Sequence, residues 1–305
     1  MTAPQDGVRL RSLPGVQPRI WVTLPTFNEA GNIERVVRSV LAELERVAPG
    51  DHAVLVVDDA SPDGTGEIAE RLADELPAVK VLHRSGKQGL GHAYLAGFEH
   101  ALAEGAELVV VMDADYSHDP AHLPALLAAA QTDDLVLGSR YIPGGSIIDW
   151  PRLRRLLSRA GSLYARLILG VRIRDLTGGY RCIRREVLER LELTTLRSQG
   201  YVFNIELTFR ALREGFRVRE VPIQFRDRTV GESKISLGIA VEALWLVPVL
   251  RFPGLARVWP SPSAPLEDEP VAVATLSEGS ELSADESVPS AAELRPALSQ
   301  QSAPK

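Results

Sequence analysis

From Arg19 to Gly138 the sequence alternates short β-branched runs with amphipathic stretches of helical period, and that alternation restricts the chain to few architectures. The strand-like segments are RIWVTL (19–24), HAVLVVD (52–58), VKVLH (79–83), LVVVM (108–112) and DLVLG (134–138). Between them lie helical stretches near 32–48, 65–75, 90–104 and 121–131. Strand and helix repeated at this spacing imply βαβ units, hence an α/β fold with a mostly parallel, Rossmann-like sheet flanked by helices. Ligands of such sheets bind beyond the carboxyl ends of the strands.

That rule gives the polar clusters a common address. PTFNE (25–29) follows the first strand, DDASPDGTGE (58–67) the second and DADYSH (113–118) the fourth. A lone aspartate at a strand end is ordinarily a turn residue, because its side chain bonds nearby backbone amides. Here Asp113 and Asp115 flank a small Ala114, so in extended backbone both carboxylates project to one side. Two like charges held together raise each other's proton affinity unless a cation lies between them. Oxygen ligands of this kind suit Mg²⁺ or Mn²⁺, and Mg²⁺ completes its shell with water and substrate phosphates. The Gly-rich element GKQGLGHA (86–93) joins the third strand to its helix, where backbone amides can face an anion. Neither a GxGxxG after the first strand nor a Walker A motif is present, which argues against those two phosphate-binding solutions.

Composition sorts the rest of the chain. With one cysteine, Cys182, no internal disulfide can form, and a reducing, cytoplasmic compartment is the simpler expectation. The first 18 residues lack an apolar core of signal-peptide length and are expected to be a disordered leader. The formal net charge of -6 belongs to residues 260–305, a Pro-, Ser-, Ala- and Glu-rich segment without apolar period. Such a segment cannot bury enough surface to order itself, so 255–305 is expected to be a disordered acidic tail. Residues 140–185, in contrast, hold eleven arginines against only Asp149 and Asp175. Arginine excess attracts phosphates and acidic lipids; nucleic acid is the weaker expectation, because no zinc-finger or RNP-type signature accompanies it.

Within that basic region, 150–170 places Leu153, Leu156, Leu157, Leu163 and Leu167 on one helical face and Arg152, Arg155, Arg159 and Arg166 on another. Such a helix either packs its leucines into a core or lies at a lipid interface. Residues 235–254 are also apolar, but their longest uncharged run, 243–250, carries Pro248 and falls far short of the roughly 20 residues a spanning helix needs.

The ordered set PTFNE, VVDDASPDGTGE, MDADYSHDP, GSRYIPGGS, DLTGGYRC and RTVGESK resembles the inverting family 2 glycosyltransferases of the GT-A fold, and among these the polyprenol (dolichyl) monophosphate mannose synthases. The likeness runs from about Arg19 to Leu250, so it implies a catalytic domain over 19–254, with membrane-apposed helices near 150–170 and 235–254. By this resemblance Pro25, Phe27, Glu29, Val57 and Asp59 contact the donor nucleotide. Asp113, Ala114 and Asp115 meet the diphosphate and its metal, with Ser117 as a further metal-side ligand beside Asp115. Arg228 and Lys234 close over the donor phosphates. Ser139, Arg140 and Arg154 grip the phosphate of the lipid acceptor, so the catalytic set is Asp113, Asp115, Arg140 and Arg154. In DLTGGYRC, Gly178 stands where many members carry a serine, while Asp175 is retained.

The implied activity is transfer of mannose from GDP-mannose to polyprenyl phosphate with inversion, dependent on Mg²⁺ or Mn²⁺, by an enzyme peripheral on the cytoplasmic face of a membrane. Relatives often carry C-terminal spans or a fused acyltransferase domain, which this sequence does not, and that leaves room for a separate membrane-protein partner. The alternatives are a UDP-sugar, glucose-type polyprenyl-phosphate glycosyltransferase, a nucleotidyltransferase, and a catalytically silent scaffold.

Overall fold

The computed structural model describes residues 19–196, 200–227 and 237–257. The expected leader, nearly all of the expected tail, and Arg228 and Lys234 lie outside the described residues. The first half follows the expected alternation: β1 (Ile20–Thr26), α1 (Ile33–Val47), β2 (His52–Asp58), α2 (Thr65–Glu75), β3 (Val79–His83), α3 (Leu90–Ala103), β4 (Leu108–Val111), α4 (Leu123–Ala129) and β5 (Leu135–Ser139). Then come β6 (Ser146–Ile148), α5 (Arg152–Leu169), β7 (Arg181–Arg184), α6 (Arg185–Arg190), α7 (Gly200–Arg213), β8 (Val218–Pro222), β9 (Gln224–Arg226) and α8 (Leu237–Arg251). A 3-10 turn spans Pro253–Arg257.

Seven strands form one sheet in the order β3-β2-β1-β4-β7-β5-β8, and β6 and β9 pair as a separate parallel ribbon. The sheet is parallel except for β7, which runs antiparallel between β4 and β5. Residues 53–57 of β2 and all four residues of β4 are apolar and buried, because both faces of the sheet are covered. In β4, Val109 and Val111 face one core and Leu108 and Val110 the other, as the two-residue period requires. The first core contains Tyr94 and Phe98 of α3 and Phe203 and Leu207 of α7; the second contains Val36, Val37 and Val40 of α1 and Leu126 and Leu127 of α4. Helix α3 approaches β1 so closely that a Cβ on Gly97 would lie 2.4 Å from Thr23 Cγ2, so no other residue fits there without a shift.

The leucine face of α5 turns outward. Its buried residues are the small Ser162 and Ala165 and, at the last turn, Leu169, and Tyr164 donates to the Leu244 carbonyl of α8 at 2.8 Å. Leu153, Leu156, Leu157, Leu163 and Leu167 are 49 to 67% exposed. Among the described residues, the other exposed large apolar side chains are Leu244, Phe252 and Leu255, on α8 and the turn after it. No helix among the described residues is long and apolar enough to cross a membrane.

Candidate active site

Three chain segments that leave the carboxyl edge of the sheet are locked together by backbone-to-side-chain bonds. β1 and β2 run in register to Thr26 and Asp58, and the Asp59 amide donates to the Thr26 carbonyl at 3.1 Å. Beyond β1 the amides of Asn28, Glu29 and Ala30 donate to Ser61 Oγ, Thr65 Oγ1 and Asp63 Oδ2, at 2.9 to 3.0 Å. Asn28 and Ala60 hold positive φ angles of 60° and 52°. The strain of non-glycine residues in that region is sustained by these bonds.

Pro25, Phe27, Glu29, Val57 and Asp59 therefore gather at one place, as the sequence predicts. Asp59 is buried; burial raises its pKa against the pull of the Arg84 guanidinium, which donates to it. Arg84 also donates to Gln88 at 2.6 Å, and Lys87 lies 4.3 Å from the centre of the Phe27 ring. Arg84, before the Gly-rich segment, and Lys87, within it, thus bring two cations to this part of the edge. Arg84, just outside GKQGLGHA, was missed in the sequence; its signal is a basic residue directly after a strand of the sheet.

β4 delivers the aspartate pair beside β1, since the Met112 amide donates to the Thr23 carbonyl at 3.3 Å. Asp113 is partly exposed, whereas Ala114, Asp115 and Ser117 are buried. Asp115 Oδ1 accepts from the Ser117 amide at 2.9 Å, and Tyr116 between them has φ of 62°. His118 lies below: its Nδ1 accepts from the Asp113 amide at 3.0 Å, and its ring packs against Tyr180 and Phe225. Burial lowers the His118 pKa, more than the nearby aspartates raise it, so the ring is a neutral acceptor that sets the Asp113 backbone. His118 lies within MDADYSHDP, but nothing in that motif alone marks it as the residue that holds the Asp113 backbone.

The Ser117 hydroxyl is buried and has no hydrogen-bond partner. An orphaned oxygen next to a buried carboxylate costs free energy unless something binds there, so the donor set fits a hard divalent cation. No cluster of three His, Cys, Asp or Glu side chains able to hold a metal occurs among the described residues. A carboxylate and a hydroxyl are hard oxygen donors, the kind that suits Mg²⁺ or Mn²⁺ when the rest of the shell comes from water and substrate.

Opposite the aspartates, Arg140 follows β5 and is only 7% exposed. Its backbone amide and Nε both donate to Asp175 Oδ2, at 2.9 and 2.7 Å, and its Nη2 donates to Asp175 Oδ1 at 2.7 Å and Thr177 Oγ1 at 2.9 Å. Burial by itself would raise the Asp175 pKa, but the Arg140 charge and these bonds outweigh it and hold the carboxyl below its ordinary range. Asp175 is the partner that fixes Arg140. Loop 174–178 is held in turn by Glu220, which accepts from the Arg174 and Asp175 amides at 2.9 Å, and by the fully buried Arg181, which donates to the Leu176 and Gly178 carbonyls at 2.9 Å. Burial lowers the Arg181 pKa to about 10, still a cation at neutral pH. A Cβ on Gly179 would lie 3.5 Å from Asp113 Oδ1, so this loop abuts the aspartate pair.

The remaining expected residues divide. Ser139 is buried and its hydroxyl donates to Glu220 at 2.7 Å, which commits its hydrogen away from the arginines. Arg154, in the first turn of α5, donates from Nη1 to both Asp227 oxygens at 2.9 and 3.1 Å and lies 4.1 Å from the Trp150 ring centre. Arg140 lies 5.7 Å from the same ring, so Trp150 joins the two guanidinium groups. The arginine-rich stretch is not one surface: Arg181 is internal, Arg185 donates to the Leu102 and Ala106 carbonyls, and Arg184 donates to the Gln131 carbonyl. A run dense in charge along the chain is divided once β7 enters the middle of the sheet.

The family model for "Glycosyl transferase family 2" matches residues 21–192, more than half of the chain. The chain belongs to glycosyl transferase family 2. Members of this family that resemble it include an undecaprenyl-phosphate mannosyltransferase of Micrococcus luteus, 48% identical over 79% of this chain and 96% of that protein. A polyprenol monophosphomannose synthase of Mycolicibacterium smegmatis is also 48% identical, over 75% of this chain and 85% of the other. Among solved structures, glucosyl-3-phosphoglycerate synthase from Mycobacterium tuberculosis with Mn²⁺, UDP-glucose and phosphoglyceric acid superposes with a TM-score of 0.57 at 23% identity, over 77% and 79% of the two chains. A mannosyltransferase from Pyrobaculum calidifontis in complex with GDP-Man and Mn²⁺ gives 0.51 at 22%, over 80% and 66%. At such identities these structures establish the shared fold of this family 2 enzyme, the expected GT-A sheet.

Proposed function

We propose that this glycosyltransferase moves mannose from GDP-mannose to a polyprenyl phosphate, with inversion at the anomeric carbon. The observation that carries the reading is on α5: one helix presents Arg154 beside the candidate site and, in the same turns, Leu153, Leu156 and Leu157 to the outside. An acceptor that is anionic at one end and hydrocarbon at the other matches that arrangement. The 48% identity to the two mannosyltransferases of polyprenyl phosphates supports the same substrate pair.

An acceptor phosphate, with its second pKa near 6, is already a nucleophilic anion at neutral pH, so no general base is needed. Its oxygen forms the new bond to the sugar's anomeric carbon from the face opposite GDP, and the bond to the GDP β-phosphate oxygen breaks, with the electron pair leaving on GDP. Asp115 and Ser117 would hold Mg²⁺ or Mn²⁺, with Asp113 and Ala114 against the diphosphate; bound there, the ion would supply positive charge to offset that of the leaving group. Pro25, Phe27, Glu29, Val57 and Asp59 hold the nucleotide, and Arg228 and Lys234 close over its phosphates. Arg140 and Arg154 grip the acceptor phosphate, and Ser139 supports that grip through Glu220. Incubation with labelled GDP-mannose and polyprenyl phosphate followed by organic extraction tests the reading. Label that stays in the aqueous phase, or UDP-glucose serving in its place, would overturn it.

Two outcomes follow for the acceptor side. Arg154→Ala raises the KM for polyprenyl phosphate by roughly 10- to 150-fold, the equivalent of a charge-assisted bond worth ~1.5–3 kcal/mol, and leaves the GDP-mannose KM nearly unchanged. An unchanged lipid KM would remove Arg154 from the site. Leu156→Glu/Leu157→Glu abolishes sedimentation with anionic vesicles and leaves the melting temperature within a few degrees, because both side chains are already exposed. Vesicle binding equal to the parent's would show that this face does not meet lipid.

A further inference from the structure

We propose that Asp227 is a stand-in for the acceptor phosphate: its carboxylate occupies Arg154 in the free enzyme and is displaced when the lipid phosphate arrives. The inference rests on the reading that Arg154 binds the acceptor.

The two arginines beside Trp150 are held by carboxylates of opposite character. The Arg140–Asp175 pair is sealed, with side-chain exposures of 7% and 0%, whereas Arg154 and Asp227 are 25% and 29% exposed. The first pair stays together whatever binds beside it, whereas water and a competing anion can separate the second. A pair so exposed contributes little net stability, so exchanging it is cheap. Asp227 also satisfies Arg154 incompletely. Both of its oxygens are held by Nη1, while Arg154 Nε and the Trp150 indole N–H are buried donors without an acceptor. Two orphaned donors beside a bound carboxylate suit an anion with more acceptor oxygens, and a phosphate monoester has three.

The position of Asp227 gives its release a destination. It directly follows β9, whose Arg226 amide donates to the Ser117 carbonyl at 3.2 Å and whose Phe225 bridges His118. Asp227 itself donates its amide to the Ile148 carbonyl of β6 at 3.2 Å. The carboxylate that yields to the acceptor is thus on the strand that braces the aspartate-bearing loop.

Calorimetric titration of the full chain with farnesyl phosphate, a soluble short polyprenyl phosphate, tests this without turnover. Removing a competitor from a partly exposed pair tightens binding by about two- to fivefold, so Asp227→Asn and Asp227→Ser both lower the Kd by that factor. In an Arg154→Ala background the same substitutions no longer tighten binding, because the guanidinium for which Asp227 and the phosphate compete has been removed. Circular dichroism verifies that each variant is folded. If Arg154→Ala weakens binding while neither Asp227 variant tightens it, displacement is wrong and the acceptor role of Arg154 stands. If Arg154→Ala leaves the Kd unchanged, the underlying reading fails and takes the proposal with it.

Discussion

Asp115→Asn lowers turnover by at least about 10²- to 10³-fold, the range lost when one group that stabilises developing charge is removed. The amide has nearly the shape of the carboxylate and its Oδ1 can still accept from the Ser117 amide, so the loop keeps its course. What disappears is the charge beside the unpartnered Ser117 hydroxyl. Two measurements check this: product formation at saturating Mn²⁺, and calorimetric titration of Mn²⁺ in the presence of GDP, which reads metal affinity apart from chemistry. Activity within about tenfold of the parent, with unaltered Mn²⁺ affinity, would remove Asp115 from the metal site.

Asp175→Asn has the largest expected effect on stability. The substitution leaves Arg140 buried without its counter-charge, and breaking one side of a buried pair costs about 3–5 kcal/mol. At ~2–4 °C per kcal/mol for a domain of this size, the melting temperature falls by roughly 6–20 °C. Turnover falls as well, since Arg140 loses the bonds that aim it. Arg140→Met combined with Asp175→Asn separates the two effects: most of the stability returns because no unpaired charge remains, and activity does not. A melting temperature within about 2 °C of the parent for Asp175→Asn alone would contradict the account.

The same pair sets a pH dependence. The folded Asp175 carboxyl titrates below its ordinary value, so its contribution is fully present above the unfolded carboxyl's pKa of ~4. It is lost as the pH falls from there through the depressed folded value. The stability gap between the parent and Asp175→Asn is accordingly constant near neutrality and narrows below about pH 4. A gap that instead closed between pH 5 and 8 would point to a different group.

Farther from the chemistry, the sequence determined what depends on near neighbours. Five strands and four helices between Ile20 and Ser139 stand close to where period and β-branching put them, because those signals are local and covered on both faces. The parallel sheet then brought PTFNE, DDASPDGTGE and DADYSH to a single edge without further information. Three matters had no local signature. RCIR, four residues long with arginine at each end, enters the sheet antiparallel between β4 and β5, a pairing set by partners about 45 to 75 residues away in the chain. The leucines of α5 are compatible with a core or an outer face by period alone; the packing of Ser162 and Ala165 inward decided for the outside. Arg140 and Arg154, alike in sequence as basic residues near a turn, became a sealed cation and an exchangeable one only through Asp175 and Asp227, 35 and 73 positions away. Hydrophobic period and strand propensity are short-range properties of the chain, whereas the counter-charge of a buried ion is a long-range contact, and only the folded sheet brings it within 3 Å.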